Sequence, residues 1–434
     1  MTLRPGERSI TLWSAAYGFC LLASYNVVKP FREALGTAVP GLSRLWMGTL
    51  IACLIVLPPY WALVGRLPWR RFVPLVHRFF ELAFALSFFL LRDEKQPGFA
   101  RNATCFYAGV SAFNLLVLSQ FWGVMVDIFT REQGRRLFGW IAAGGTAGGL
   151  LASLATTTLA HNRYGPAALV WLTIALLELA SFAAGRLARR VGTRPATATA
   201  ATAGVAVDSD TLTPDPRPRG LLRHVADIFE GARLFAKSPY LLAIAAYMFA
   251  TQFTSAFVYD FQRKLIGATI VGRAAQTEYS AWINSWTQLA ALAGQLVVTA
   301  RLIAGAGLGI TLALVHATGL LGLAAFALQP TLWVISAVQI AIKSVDYAFA
   351  RPARETLFTI VSRKEKYQSK SLIDAGLYRA FDALDSGIVD RLRESLVTAP
   401  GMAWIAIPVT ALGLLLSGHL ARAHLRAHER QRAA

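Results

Sequence analysis

Long apolar runs, broken by short charged connections, set the rhythm of this chain. A helix crossing the hydrocarbon core of a bilayer needs about 20 mostly apolar residues. Twelve stretches meet that requirement: 10–30, 44–64, 72–92, 103–128, 138–160, 167–186, 239–262, 280–302, 307–328, 331–350, 371–391 and 400–421. None of them alternates with period two over ten-residue units, which argues against a membrane barrel. In lipid every backbone polar group must find a partner within the protein, so the pattern predicts an all-α polytopic bundle of about twelve transmembrane helices.

Six spans precede one long connection and six follow it. This is the 6+6 layout of the major facilitators, in which two halves enclose a site near the bilayer midplane. The expected organisation is an N-terminal six-helix bundle over 1–190, a cytoplasmic linker over 191–238 and a C-terminal six-helix bundle over 239–434. Within the linker, the Thr/Ala/Pro tract 193–218 is too polar to bury a core, and 221–236 reads as an amphipathic surface helix.

Composition agrees. Of 434 residues, 55% are hydrophobic and 15% charged, with a mean hydropathy of +0.47, whereas soluble domains carry roughly 25% charged residues. The net charge of +19 would suggest a nucleic-acid partner in a soluble chain, but in a membrane protein its sidedness matters more. Placing both termini and the linker in the cytoplasm puts most of the 43 Lys and Arg residues on that side, as the positive-inside rule requires. The expected location is the inner (plasma) membrane of a bacterium, with lipid as a partner and nucleic acid as none; a monomer is the simplest assembly. The run from Ile10 ends in charge at Lys29 without a cleavage site and reads as the first span, not a signal peptide. Cys20, Cys53 and Cys105, odd in number and set in apolar stretches, offer neither a disulfide framework nor a metal spacing.

Ionisable residues inside spans are costly and usually face the bundle interior or a wet cavity. In span 10, Gln339, Lys343, Asp346, Tyr347 and Arg354 recur at intervals that place them on one face. Span 11 repeats the pattern with Ser371, Asp374, Tyr378, Asp382 and Asp385, and Arg379 stands beside them. Span 7 carries Gln252, Ser255, Tyr259 and Gln262; span 8 carries Ser285, Gln288 and Gln295; span 1 ends with Tyr25, Lys29 and Arg32; span 3 opens with His77, Arg78 and Glu81. Together these stripes predict a central cavity, although any one residue has the alternative role of an internal pair that holds the bundle, as Arg78 with Glu81 at i, i+3. The same spacing predicts a Lys343–Asp346 pair. Trp46, Trp122, Tyr259, Trp282, Trp286, Tyr347 and Tyr378 are available to stack on a ring, or serve as interface anchors.

No zinc-hydrolase pattern, phosphate-binding loop, nucleophile elbow or dinucleotide fingerprint appears. The sequence thus gives no positive support for an enzyme, a catalytic residue, a metal site or a cofactor. The run Gly144-Gly145-Thr146-Ala147-Gly148-Gly149 lacks the lysine and preceding strand of a phosphate loop and reads as close helix packing. His419, His424 and His428, set among arginines, read as a basic helix facing lipid headgroups rather than a metal site.

Several runs resemble the ATP/ADP translocase (nucleotide transporter) family, in particular its relatives in free-living bacteria. They are Tyr25-Asn26-Val27-Val28-Lys29-Pro30-Phe31-Arg32-Glu33-Ala34-Leu35, Phe113-Asn114 to Trp122, Arg136-Leu137-Phe138-Gly139-Trp140 to Gly145, and the stretch from Asp346 to Asp382. That last stretch holds Arg351-Pro352-Ala353-Arg354-Glu355, Glu365-Lys366-Tyr367, Asp374, Tyr378-Arg379 and Asp382. The resemblance implies a facilitator-like carrier exchanging nucleoside triphosphate for diphosphate. It passes a functional role to Lys29, Arg32, Arg354, Asp374, Arg379 and Asp382.

Three functions remain open on the sequence. The first is an alternating-access transporter for an anionic small molecule such as a nucleotide, with Lys29, Arg32, Arg78, Asn114, Tyr259, Lys343, Arg354, Tyr378 and Arg379 at the substrate. In it Glu81, Asp346, Asp374, Asp382 and Asp385 serve coupling or gating. The second is a proton-coupled facilitator for a neutral, zwitterionic or amphiphilic solute, with Asp374 or Asp385 as proton acceptor. The third is a non-transporting membrane scaffold or lipid-handling protein.

Overall fold

The computed structural model describes residues 7–39, 41–91, 96–129, 131–160, 165–192, 238–297, 306–357, 378–395 and 399–433. All of the regular structure in these residues is helical. The first six helices are α1 (Arg8–Thr37), α2 (Leu42–Arg66), α3 (Trp69–Leu90), α4 (Phe99–Ile128), α5 (Arg131–Leu159) and α6 (Gly165–Gly192). The second half has α7 (Pro239–Thr269), α8 (Arg273–Val297), α9 (Gly307–Leu328), α10 (Leu332–Val345), α11 (Arg351–Leu357), α12 (Tyr378–Ser395) and α13 (Ala399–Ala433). A π-helical turn, Asp346–Ala350, joins α10 to α11. The chain is an all-α polytopic membrane protein. The expected linker, 191–238, lies almost wholly outside the described residues.

Local signals fix several helix starts. Ser238 Oγ accepts from Leu241 N at 3.4 Å ahead of Pro239, and Thr331 Oγ1 accepts from Val334 N at 3.4 Å; each satisfies one of the orphan donors of a first turn. Helix packing then divides the apolar residues into two clusters. One joins α1 to α6 around Tyr17, Phe80, Phe84, Phe113 and Phe121; the other joins α7 to α13 around Tyr247, Phe257, Phe261, Leu312 and Phe326. The perimeter is apolar as well: Leu82, Leu321, Trp333 and Leu415 are each more than two-thirds exposed, as residues facing acyl chains must be.

Nine helices among the described residues are long and apolar enough to cross a bilayer. The spans expected at α1, α8 and α12 are not among them; of the last two the described residues cover 280–297 and 378–391. These helices carry Lys29, Arg32 and Glu33, Asn284 and Gln288, and Asp382, Asp385 and Asp390, respectively. Such residues are excluded from lipid contact and belong inside.

The glycine run of α5 packs directly on α1. A Cβ on Gly144 would lie 3.0 Å from the Ala15 Cβ, and one on Gly148 would overlap the Phe19 carbonyl. The run therefore serves backbone-to-backbone approach. The halves meet where α5 lies against α8 and α2 against α12, with α1 touching α7 and α8.

Candidate functional site

Between the halves lies a cavity of about 810 Å³. It is walled by α1, α2, α4 and α5 on one side and by α7, α8, α10 and α11 on the other, with Asp382 of α12 also at the wall. Seven of the residues assigned to the site from sequence line it: Lys29, Arg32, Asn114, Tyr259, Lys343, Arg354 and Asp382. So do Gln252, Ser255, Gln262, Gln288, Gln295, Gln339 and Tyr347, as their stripes require.

One polar chain crosses the cavity from α1 to α8. Lys29 Nζ donates to Asn284 Oδ1 at 2.7 Å, and Asn284 Nδ2 donates to Asn26 Oδ1 at 2.8 Å and to Ser153 Oγ. Gln288 Nε2 reaches the same Asn26 oxygen at 3.3 Å. A second cluster ties α1 to α4 and α7. Arg32 is ion-paired with Glu33, donates to Ser111 Oγ at 3.0 Å and lies 4.5 Å above the Tyr107 ring. Tyr259 donates to Glu33 and shares a hydrogen bond of 2.8 Å with the Tyr107 hydroxyl. Trp46 stacks on Tyr259 with centroids 6.1 Å apart. Arg32 Nε is buried and unpaired, so this cation keeps one donor for a further acceptor.

On the other wall the π turn decides the geometry. A π turn closes i to i+5, so Arg351, five residues beyond Asp346, lands over it. Its Nε pairs with Asp346 Oδ2 at 2.9 Å, and its guanidinium stacks 4.4 Å from the Tyr347 ring. Arg351 thus joins Asp346 on the face where the i, i+3 spacing also sets Lys343, and Asp346 stands buried behind the wall. Gln295 Nε2 donates to the Tyr347 carbonyl at 3.2 Å, within the same turn. Asp382 Oδ1 accepts from Gln252 Nε2 at 2.8 Å.

Two sequence assignments fall elsewhere. Arg78 and Glu81 do not line the cavity; they sit at the contact of α3 with α6, where Arg78 pairs with Glu81 at 3.0 Å and with Glu178. The Arg78 side chain is 58% exposed. His77 is buried beside them, with Nδ1 on Ser181 Oγ at 2.7 Å and Nε2 near Gln120 at 3.2 Å. Helical spacing identifies a polar face, but not whether it turns toward the other half or toward a neighbour in its own. Asp385 is fully buried behind Asp382, and neither carboxylate oxygen has a partner. Asp374 and the side chains of Tyr378 and Arg379 lie outside the described residues. Trp282 and Trp286 pack with Trp333 toward the lipid face, away from the cavity.

At the end where α1 gives way to α2, charged groups of the second half cap helix ends of the first. Asp390 of α12 accepts from Leu42 N at 3.1 Å and Ser43 N at 2.8 Å, the open donors of the α2 N-terminus. Gly41, with φ +82°, makes the approach possible, since a Cβ there would lie 3.2 Å from Asp390 Oδ2. Arg263 Nη1 donates to the Gly36 and Val39 carbonyls, both at 2.8 Å, while Asp260 holds its Nη2 at 3.0 Å. Arg273 Nη1 donates to the Ala34 carbonyl at 2.9 Å. Helix ends leave such groups unsatisfied, and opposite charge suits each end. None of Asp260, Arg263, Arg273, Asn284 and Asp390 was assigned to the site from sequence. The one legible signal was the Asp260-Arg263-Lys264 spacing at the close of span 7.

No family model matches the chain, and no curated protein sequence is significantly similar to it. Solved structures are similar in fold. A POT family transporter in complex with a thioalcohol conjugated peptide superposes with a TM-score of 0.61 at 9% identity, covering 95% of this chain and 96% of that one. A POT family transporter in complex with 5-aminolevulinic acid gives 0.61 at 10% identity over the same shares. At these identities the likeness establishes the fold alone, an all-helical polytopic bundle.

Proposed function

We propose that this protein is a secondary transporter working by alternating access and that it carries an anionic small molecule, with nucleotides the leading class. The observation behind this reading is the charge of the cavity wall. Among the described residues it presents Lys29, Arg32, Arg263, Lys343, Arg351 and Arg354 against only Glu33 and Asp382. Arginine forks suit phosphate oxygens, the aromatic pair Trp46–Tyr259 offers a face to a base, and about 810 Å³ falls within the range of small-molecule sites. The resemblance of the Tyr25–Leu35 and Asp346–Asp382 runs to nucleotide translocases supports the same class. In this reading residues 1–190 and 239–434 are the two moving halves, 191–238 links them, and both termini face the cytoplasm of a bacterium.

Uptake of radiolabelled ATP, ADP and orthophosphate into proteoliposomes tests the proposal. Uptake of at least one of them, accelerated by unlabelled nucleotide inside, is expected. Uptake of a neutral or zwitterionic solute in place of all three overturns the substrate class.

A second reading draws on Asp385, whose two carboxylate oxygens lack partners in a fully buried site. A proton-coupled carrier of a solute bearing both charges would use Asp385 for the proton and Glu33 and Asp382 for an ammonium. The solved POT structures hold a peptide conjugate and an amino acid. Uptake driven by a pH gradient and lost in Asp385→Asn would favour this reading.

A further inference from the structure

A second, smaller pocket of about 420 Å³ lies at the α1–α2 end of the bundle. It is lined by Thr37, Ala38, Arg263, Lys264, Arg273 and Gln276, with Gly267 and Gly272 opening its floor. Thr37 and Arg263 also line the central cavity, so these two side chains form the partition between the two spaces. Asp260 is fully buried and is paired with both Arg263 and Lys264. The three cations therefore outweigh the one acid among the groups placed here.

The partition is held by hydrogen bonds that an anion can compete for. Arg263 spends Nη1 on the Gly36 and Val39 carbonyls and Nη2 on Asp260, while Nε is buried and has no partner. With the end closed, an anion in the pocket meets Lys264, Arg273 and at most that one nitrogen. Once Arg263 swings off the α1 carbonyls, the same anion meets the whole guanidinium. A phosphate group accepting from a guanidinium makes shorter and stronger bonds than a neutral carbonyl does. A ligand shifts an equilibrium by its differential affinity for the two states, and here that difference favours the open end.

We propose that this pocket is an anion site that takes a phosphate group, and that its occupancy releases Arg263 from the α1 terminus and parts the halves at this end. The inference rests on the alternating-access reading but not on the identity of the carried solute. Lipid headgroups and free phosphates share the recognised chemistry.

The test uses the full chain with Cys20, Cys53 and Cys105 replaced by alanine and spin labels on Arg44→Cys of α2 and Val271→Cys, two exposed positions on opposite halves. Distances are measured in phosphatidylcholine nanodiscs without additive, with pyrophosphate, and with phosphatidylglycerol in place of part of the lipid. The expected result is a shift of the distribution to longer distance with pyrophosphate or with phosphatidylglycerol. Whichever of them acts names the source of the phosphate group. The shift should vanish in Lys264→Gln/Arg273→Gln and persist in Arg354→Gln, a cation of the central cavity that does not line this pocket. No lengthening under either condition, or an equal shift in the double variant, overturns the inference. Because no transport is measured, failure of nucleotide uptake alongside a retained shift would remove the substrate class and leave this site standing.

Discussion

Two charged clusters of the N-terminal half, one on α1 and one on α3, look alike in sequence and meet opposite fates. Lys29, Arg32 and Glu33 converge on the space between the halves, where their partners are Asn284 and Tyr259 of the other half and Ser111 of α4. Arg78 and Glu81 close on each other and on Glu178 within their own half, with Arg78 mostly exposed. The difference is one of neighbours: α1 is central and touches α7 and α8, while the main contacts of α3 among the described residues are with α2, α4 and α6 of its own half. An intramembrane charge thus belongs to the candidate site when its helix faces the opposite half, as α1 does, and not when it is turned toward a neighbour in its own half, as on α3.

The largest effect that would test this contrast is expected at Glu33. Glu33→Ala strands Arg32 and removes the acceptor of Tyr259, and breaking a buried pair costs about 3–5 kcal/mol. Thermal unfolding of the purified variant should show that loss, and a midpoint equal to the parent's would place the pair in wet surroundings. Next comes Lys29→Ala. An interaction of a charged donor is worth about 1.5–3 kcal/mol, so nucleotide uptake should fall roughly tenfold to a hundredfold while the folded protein persists. Asp390→Ala removes the cap from the α2 N-terminus at a cost of about 0.5–2 kcal/mol, and it should raise solvent labelling of a cysteine placed at Ser43. The smallest effect on transport belongs to Arg78→Gln. Its ion pairs lie within the first half and away from the cavity, so uptake should match the parent; a strong loss of transport would erase the distinction between the two clusters.

Helix number and class were legible because a bilayer leaves few alternatives and hydropathy reads them directly. The faces were legible too, since residues such as Gln252, Ser255, Tyr259 and Gln262 can share one side of a helix in only one way. What a face touches was not legible. Asn284 and Asn26, uncharged and set among apolar residues, give no signal until α1 and α8 are brought together. Asp390 and Arg273 sit at helix ends, where sequence reading takes a charge for a solvated one. The π turn had no signature either, and it alone moves Arg351 onto Asp346.

The close packing of α1 on α5 has a mechanical consequence. With no room for even a methyl group between Gly148 and the Phe19 carbonyl, the two helices tilt as one plank. Lys29 is bolted to that plank, and Asn284 belongs to the facing half. Their 2.7 Å contact thus behaves like the bubble of a spirit level: it registers the angle between the halves, and a spectroscopic probe placed across it would read that angle directly.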